Sequence, residues 1–244
     1  MGVIADGNAE FPAGYGPQPS PTTPISGQTS LRIAKNSYPC SVGYWTPYPA
    51  AASAPPPGGP YNDTNASAEI GQAHGVFQFQ NAVSINGITD GTSNTMAIGE
   101  HAFALLTAGD DKVQWYWWHS GSYGDSAFST IVPPNYLKKN ATNYQNQPGG
   151  GSRALGGASS LHPGGMNICF ADGSVKFIKE TIGTWQVVAG NNGCGGGADT
   201  LPVGYTPSCG GSPGTVGSLV GTPPGVWQAL GSRNGGEVIS ADQY

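Results

Sequence analysis

An Asp-Gly pair between two β-rich runs limits the fold of this chain more than any other feature of its sequence. Asp172-Gly173 separates the run Met166–Ala171 from the run Ser174–Ile178. Asp-Gly in this position is a strong hairpin signal, because both residues of a tight two-residue turn adopt positive φ. The sequence therefore predicts an antiparallel β-hairpin here, and a fold built on a sheet.

A two-residue turn also predicts the register of this hairpin. It places Phe170 opposite Val175 and Ile168 opposite Phe177, while Cys169 and Lys176 point to the other face. The apolar face predicted in this way comprises Met166, Ile168, Phe170, Val175 and Phe177. We expect this face to pack against the core of the domain.

The overall composition favours a β protein with long loops. Glycine and proline contribute 40 and 21 of the 244 residues, and only 9% of residues are charged. This composition is atypical of coiled coils, charged helical bundles and helix-rich cytosolic enzymes. The net charge is −5 and the nine Lys and Arg residues form no cluster, so no nucleic-acid partner is expected. The sequence contains no stretch of eighteen apolar residues, so no membrane-spanning helix is predicted.

The four cysteines favour an exported protein. They form no Cys-x-x-Cys motif, which argues against a zinc site. Cys194 and Cys209 flank a glycine-rich loop of fourteen residues, and a disulfide closing it would stabilise the fold by about 3 kcal/mol. Cys40 and Cys169 are then the remaining pair. Three connectivities are possible, and the alternative is four free, buried thiols.

The chain shows no internal repeat and is predicted to form a single domain over residues 1–244. Residues 1–60 are rich in proline and are expected to be irregular, and Met96–Glu100 has the composition of a buried strand. The Gly/Pro-rich residues 189–224 are expected to form an insertion or an outer layer.

Four motifs in order resemble a known family. Nine residues separate His162 from Asp172-Gly173. The other three motifs are Phe11–Gly14, Ile88–Thr95 with the following Gly99-Glu100, and Arg233–Asp242. Together they resemble the prepilin-type processing-associated domain (His, nine residues, Asp-Gly) of type IV pilin-like proteins, which are abundant in planctomycetes. The motif residues of interest are His162, Asp172, Gly173, Asp90, Gly91, Ser93, Asn94 and Glu100.

The resemblance implies an α+β pilin-like headgroup that is mainly β here, with an antiparallel sheet and long loops. It implies a structural subunit of an extracellular pilus-like or secretion pseudopilus filament. Such a subunit belongs to a type IV pilus or a type II secretion system, and its expected partners are other pilin-like subunits with which it self-assembles. The expected location is the cell surface, the extracellular space or the periplasm, after anchoring of the full-length protein in the inner membrane.

The hydrophobic N-terminal helix of that family has no counterpart in this sequence. We therefore expect a soluble headgroup from which the helix has been removed, so that membrane contact would arise only through that helix. A natural paralogue without the helix and a misassigned gene start are the alternatives. The apolar face of the hairpin is expected to meet that helix or the core behind it.

No enzyme activity is expected. His162 and Asp172 lie at opposite ends of a predicted strand, and six strand residues span roughly 20 Å. No nucleophile elbow, phosphate loop or His-Glu-x-x-His motif occurs. We expect His162 to end a loop with hydrogen bonds to the backbone, and Asp172 to serve the turn.

Two ligand hypotheses remain open. Related pseudopilin headgroups often bind calcium, and Asp90 and Asn94 offer oxygen ligands, although a turn and a helix cap explain both residues more simply. No other cofactor is expected. Trp115, Trp117 and Trp118 offer an aromatic surface that suits sugars, or bulky filling for a glycine-rich core. The alternative function is therefore an extracellular carbohydrate- or solute-binding module, a class with which the family is sometimes labelled.

Overall fold

Short strands dominate the part of the chain that the structure describes. The computed structural model describes residues 35–44, 74–78, 82–106, 116, 125–140, 152–192, 198–206, 218–219, 222–237, 239–240 and 243–244. The strands are β1 (Cys40–Ser41), β2 (Met96–Ile98), β3 (Ala127–Phe128), β4 (Gly165–Phe170), β5 (Val175–Lys179), β6 (Val187–Asn192), β7 (Ala198–Pro202), β8 (Tyr205–Thr206) and β9 (Ser218–Leu219). The α-helices are α1 (Tyr136–Lys139), α2 (Ser152–Leu155) and α3 (Val226–Gly231). Short 3-10 helices cover Ile85–Gly87, Thr92–Asn94 and Phe103–Leu105.

The main sheet of the described residues is mixed. Its five strands follow the order β3-β1-β2-β4-β5. All neighbours are antiparallel except β1 and β3, which pair in parallel. The prediction of a mainly β fold is confirmed, whereas the prediction of a purely antiparallel sheet is wrong for this pair. The long chain between β1 and β3 provides the crossover connection that a parallel pair requires.

Strand β1 lies inside the segment that was expected to be irregular. Cys40 is aligned with Ile98 of β2 on one side and with Ala127 of β3 on the other. The expectation for residues 1–60 is therefore wrong at this point. A strand of two residues has too little alternation to be recognised from sequence, and its place in the sheet depends on partners far along the chain.

The hairpin of β4 and β5 is confirmed, but its turn contains three residues. The N–H of Phe170 donates to the carbonyl of Ser174 at 2.8 Å, and Gly173 has φ +85°. Ala171, Asp172 and Gly173 therefore form the loop, with glycine at the left-handed position that three-residue hairpins require. Cys169 is aligned with Val175 and Asn167 with Phe177, one residue away from the predicted register.

This shift moves every side chain of β5 to the opposite face. Met166, Ile168 and Phe170 are buried as predicted, because β4 keeps its orientation. The prediction is wrong for Val175 and Phe177, which are 64% and 48% exposed. Two side chains of β5 take their place on the inner face, the fully buried Ile178 and the half-buried Lys176.

The inner face of the sheet packs against helix α3. Trp227 and Leu230 from this helix are fully buried in one cluster with Met96, Ile168 and Phe170. The indole of Trp227 also donates a hydrogen bond to the carbonyl of Val132 at 2.9 Å, so the burial of its N–H carries no penalty. In the described part of the chain, the inner face that was expected to meet an N-terminal helix or the core behind it therefore packs on a core that includes α3.

The segment predicted to be an insertion or outer layer contains further strands. β6 pairs with β7, and β8 pairs with β9, each as an antiparallel two-stranded sheet. Both pairs are separate from the five-stranded sheet. Of the helices that the structure describes, none has the length and apolar character needed to cross a lipid bilayer.

Candidate functional site

The outer face of the five-stranded sheet carries a first row of mainly apolar side chains. Cys40 is aligned with Ile98, Ile98 with Cys169, and Cys169 with Val175. Cys40, Ile98 and Cys169 are partly buried, and Val175 is exposed. Side chains alternate along β4, so Cys169 lies opposite the inner face that packs on α3. The register of β2 shifts between Met96 and Ile98, so Met96 is aligned with Phe170 of the inner face whereas Ile98 is aligned with Cys169.

A second row runs parallel to the first, two residues further along each strand. The N–H groups of Gly99 and His101 donate to the carbonyls of Pro39 and Ser37, each at 2.9 Å, which extends the β1–β2 pairing beyond the strand ends. This pairing sets Tyr38 beside Glu100. From Tyr38 to the edge strand β5, the second row consists of Tyr38, Glu100, Asn167 and Phe177.

The two rows define what we call the outer patch: Tyr38, Cys40, Ile98, Glu100, Asn167, Cys169, Val175 and Phe177. Its outermost side chains are open to solvent, since Tyr38 is 68% exposed, Val175 64% and Phe177 48%. Exposed aromatic and aliphatic groups that are grouped on one face are typical of protein contact surfaces. The outer patch is therefore the strongest candidate interaction surface in the described residues.

The predicted disulfide between Cys40 and Cys169 is wrong, since both are free thiols. Strand β2 lies between them, so their backbones are about 10 Å apart, roughly twice the spacing of neighbouring strands. A disulfide needs Cα atoms within about 7 Å. Burial raises the pKa of the Cys40 thiol. The second predicted pair, Cys194 and Cys209, lies outside the described residues.

The imidazole of His162 faces a carboxylate at the border of the outer patch. Its Nε2 lies 3.4 Å from Oε1 of Glu100, while Oε2 of Glu100 accepts a hydrogen bond from the N–H of Asn167 at 3.0 Å. The ammonium group of Lys138 donates to the carbonyl of His162 at 2.9 Å. The side chain of His162 thus contacts Glu100, whereas the sequence predicted a hydrogen bond from His162 to the backbone. The backbone N–H of His162 donates to the hydroxyl of Ser160 at 3.2 Å.

Asp172 acts within the hairpin turn, as the sequence predicts. Its Oδ1 accepts hydrogen bonds from the N–H of Ser174 at 2.9 Å and from the hydroxyl of the same residue at 2.7 Å. These hydrogen bonds lower the pKa of the Asp172 carboxyl group. His162 precedes β4 and Asp172 follows it, so the structure does not bring these two motif residues together.

Asp90 connects the central motif to the C-terminal motif. Its carboxylate accepts hydrogen bonds from the N–H groups of Gly235 at 2.7 Å and Gly236 at 3.1 Å. The N–H of Asp90 donates to the carbonyl of Arg233 at 3.1 Å. The neighbouring Gly91 has φ +94°, a backbone conformation that suits glycine, directly before the 3-10 helix.

A second connection joins the central motif, the hairpin and the last residue of the chain. The ammonium group of Lys176 donates to the carbonyl of Ser93 at 3.0 Å and to the hydroxyl of Tyr244 at 2.9 Å. The hydroxyl of Tyr244 donates to Oδ1 of Asn94 at 3.1 Å. Lys176 also lies 4.4 Å and 4.8 Å from the ring centroids of Phe170 and Tyr244, a cation–π arrangement.

Two residues that hydrogen-bond to the motifs, His74 and Tyr244, could not be predicted from the sequence. The carbonyl of His74 accepts a hydrogen bond from the N–H of Arg233 at 2.7 Å, and Nδ1 of His74 lies 2.9 Å from Oδ1 of Asn234. Tyr244 is the second. Each contact spans well over a hundred residues of sequence, beyond the range of any local pattern.

Polar partners already surround the two residues considered for calcium. Both oxygens of Asp90 accept backbone N–H groups, and Oδ1 of Asn94 accepts the hydroxyl of Tyr244. No group of three or more His, Cys, Asp and Glu side chains suited to a metal ion occurs among the described residues. Calcium binding stays a prediction. Trp115, Trp117 and Trp118 lie outside the described residues, so the aromatic surface stays a prediction too.

The fold and the site of the described residues together define a class of protein: a β-rich domain whose motif residues hold loops against a sheet, and whose sheet has exposed side chains on its outer face. The model of the family SBP_bac_10, described as "Protein of unknown function (DUF1559)", matches residues 19–184. The chain belongs to this family. Neither a curated protein nor a solved structure matches the chain.

Proposed function

We propose that this chain is a structural subunit of an extracellular pilus-like or secretion pseudopilus filament. The outer patch carries this proposal, because a structural subunit needs a surface that is available for contact with other subunits or with a helix of the assembly. Tyr38 and Phe177 lie at opposite ends of one row of the patch and are exposed. Exposed aromatic side chains contribute strongly to protein interfaces.

The chemistry of the motif residues supports the same proposal. The carboxylates of Asp90 and Asp172 accept hydrogen bonds from backbone N–H groups. Glu100 likewise accepts the N–H of Asn167. Groups used in this way hold loops in place, which suits a structural protein. The proposal therefore assigns no enzyme activity to the chain.

The partners and the location follow from the resemblance of the four motifs to pilin-like proteins. The proposed partners are further copies of this chain and other pilin-like subunits. The proposed location is the cell surface or the periplasm, with the inner membrane as the site of anchoring before assembly. Export also accounts for the low charge content and the abundance of glycine and proline.

Electron microscopy of sheared cell-surface material tests this function. Filaments are collected from cells that make the protein and from a deletion strain, and are labelled with antibody to the domain. We expect labelled filaments in the first sample and none in the second. A membrane-bound protein without filaments, together with a sugar or solute whose binding is lost in Trp117→Ala, would favour the solute-binding alternative.

Two substitutions test the outer patch within this experiment. Tyr38→Ser with Phe177→Ser removes both exposed rings, and we expect fewer or shorter filaments at an unchanged protein level. Ile85→Ser is the matched control, because Ile85 is 76% exposed but lies in a 3-10 helix outside the sheet. Equal loss of filaments in both variants would show that the outer patch has no special role.

A further inference from the structure

Strand β5 is an edge strand in the described part of the chain. It pairs with β4 on one side, and no described strand lies on the other. The N–H of Phe170 donates to the carbonyl of Ser174, and the N–H of Glu180 donates to the carbonyl of Gly164. In an antiparallel pair, hydrogen-bonded and non-hydrogen-bonded positions alternate along each strand. These two bonds therefore show that every second residue of β5 directs its backbone N–H and C=O groups towards β4.

The remaining residues of β5 direct their backbone groups away from the sheet. Counting from the two bonds, the N–H and C=O groups of Val175, Phe177 and Lys179 face the open edge. The carbonyl of Lys179 accepts the N–H of Ile182 at 3.1 Å, which leaves the groups of Val175 and Phe177 and the N–H of Lys179 available. An edge of this kind is a template for pairing with another strand.

Lysine side chains often prevent another strand from pairing with such an edge, but Lys176 of β5 does not do so. The ammonium group of Lys176 lies against the rings of Phe170 and Tyr244 and donates to the carbonyl of Ser93 and the hydroxyl of Tyr244. It is therefore held on the inner face. The side chains nearest the centre of the open edge on the outer face are those of Val175 and Phe177, both exposed.

We propose that β5 pairs with β5 of a second copy of this chain, antiparallel and about a two-fold axis at Phe177. This register alone pairs all five residues of one β5 with all five of the other. It also places Phe177, whose N–H and C=O groups face the open edge, on the axis, so that the two copies of Phe177 form a hydrogen-bonded pair. A two-fold axis makes the contact closed, since each copy uses the same surface.

The charge pattern of β5 suits this register. Lys176 lies opposite Ile178 of the second copy, and Lys179 lies opposite Val175, so no lysine faces a lysine. Like charges directly opposite each other destabilise strand pairs. A shift by two residues towards the turn would place Lys176 opposite Lys176. The sequence of β5 therefore selects the register centred on Phe177 over this neighbour.

The pairing joins two five-stranded sheets into one and makes the two outer patches continuous at Val175 and Phe177. It rests on the geometry of the edge and not on the proposed filament. A failed filament experiment therefore leaves it untouched, and its own failure leaves the filament proposal standing.

Sedimentation equilibrium of the purified chain tests the pairing. We expect a monomer–dimer equilibrium for the native sequence. Phe177→Pro removes the N–H at the axis, which the monomer does not use, so the sheet of the monomer stays intact while both central hydrogen bonds of the dimer are lost. We expect its dimer dissociation constant to rise about tenfold or more. Phe177→Thr keeps the N–H and is the matched control, with a smaller rise.

Cross-linking tests the register. Phe177→Cys places two thiols at the axis, where the Cα atoms of a hydrogen-bonded pair are about 5.5 Å apart, within reach of a disulfide. Lys179→Cys faces Val175 of the second copy and is the control, because its neighbour on β4 is Gly165 and not a native cysteine. We expect a covalent dimer on mild oxidation only for Phe177→Cys, with circular dichroism showing that both variants fold.

Three outcomes would overturn the proposal. The first is a native chain that stays monomeric at every accessible concentration. The second is an equal effect of Phe177→Pro and Phe177→Thr, which would assign any dimer to the phenyl ring. The third is equal cross-linking of Phe177→Cys and Lys179→Cys.

Discussion

The carboxylate of Asp90 accepts the backbone N–H of Gly235 at 2.7 Å, across 145 residues of sequence. This one contact, with its companion at Gly236, joins a motif before β2 to a motif after α3. A carboxylate that accepts two N–H groups is a charge-assisted acceptor, and such hydrogen bonds are stronger than neutral ones.

Replacing Asp90 tests this connection. We expect Asp90→Ala to lower the free energy of unfolding by about 1–3 kcal/mol, because two backbone donors lose their acceptor. Hydrogen exchange at Gly235 and Gly236 should become faster, as measured by NMR. Asp172→Ala is the control, since its carboxylate bonds only Ser174 two residues away and its loss should leave exchange at both glycines unchanged.

The contacts of Lys176 with two aromatic rings predict a clear difference in stability effect between Lys176 and Lys179. We expect Lys176→Met to lower the free energy of unfolding by about 1–2 kcal/mol, through loss of the cation–π contacts and of two hydrogen bonds. Lys179→Met should change it by less than about 0.5 kcal/mol, because Lys179 is exposed. Urea denaturation measures both, and equal effects would contradict the role assigned to Lys176.

Buried His101 predicts a loss of stability in acid. Burial lowers its pKa from 6.5 to about 3, against a weak opposing contact with the backbone of Asp125 that does not reach hydrogen-bond geometry. Its ring stacks on Tyr116 with centroids 4.1 Å apart. The folded state therefore keeps His101 neutral at pH values where the unfolded chain binds a proton. The stability that this group contributes is complete above about pH 6.5 and is lost as the pH falls towards 3.

His101→Phe removes the titrating group and keeps the stacking. Between about pH 7 and pH 5 we expect the native protein to lose about 2 kcal/mol more stability than the variant, at up to about 1.4 kcal/mol per pH unit. Chemical denaturation at several pH values measures the difference. Parallel stability curves for the two proteins would contradict a neutral, buried His101.

The contact between His162 and Glu100 predicts unequal effects of removing its two members. The imidazole is 53% exposed, so we expect His162→Ala to lower the free energy of unfolding by less than about 1 kcal/mol. Glu100→Ala should cost more, about 1–3 kcal/mol, because the N–H of Asn167 also loses its acceptor. Thermal denaturation compares them, and a larger loss for His162→Ala would show that the imidazole has a further partner.

The hairpin shows how far the sequence predicts this fold. The Asp-Gly signal located the turn correctly, but it fits both a two-residue loop and a three-residue loop that ends in glycine. The apolar pattern of β5 does not decide between them, since Phe177 and Ile178 offer an apolar residue to either face. The structure has the three-residue loop, which places Ile178 and Lys176 on the inner face. There Ile178 is buried and the ammonium group of Lys176 contacts two aromatic rings.

The candidate site was predictable only in part. The motif residues Asp90, Asn94 and Glu100 could be named from the resemblance of their motifs to a known family, and all three make hydrogen bonds to other parts of the chain. Their partners could not be named, because contacts such as Tyr244 with Asn94 depend on the whole fold. The same limit explains the wrong pairing of Cys40 with Cys169, since strand order decides which side chains are neighbours.

The connection between Asp90 and Gly235 also fixes both ends of the chain between them. For a segment with fixed ends, the entropic cost of added length grows only as its logarithm, by about 0.6 kcal/mol for each doubling of a flexible loop. Surface segments inside this closed span can therefore gain or lose residues at little thermodynamic cost, while the sheet keeps its register. We therefore expect the surface segments of this domain to tolerate changes in length, whereas the five-stranded sheet and the contact between Asp90 and Gly235 stay the same.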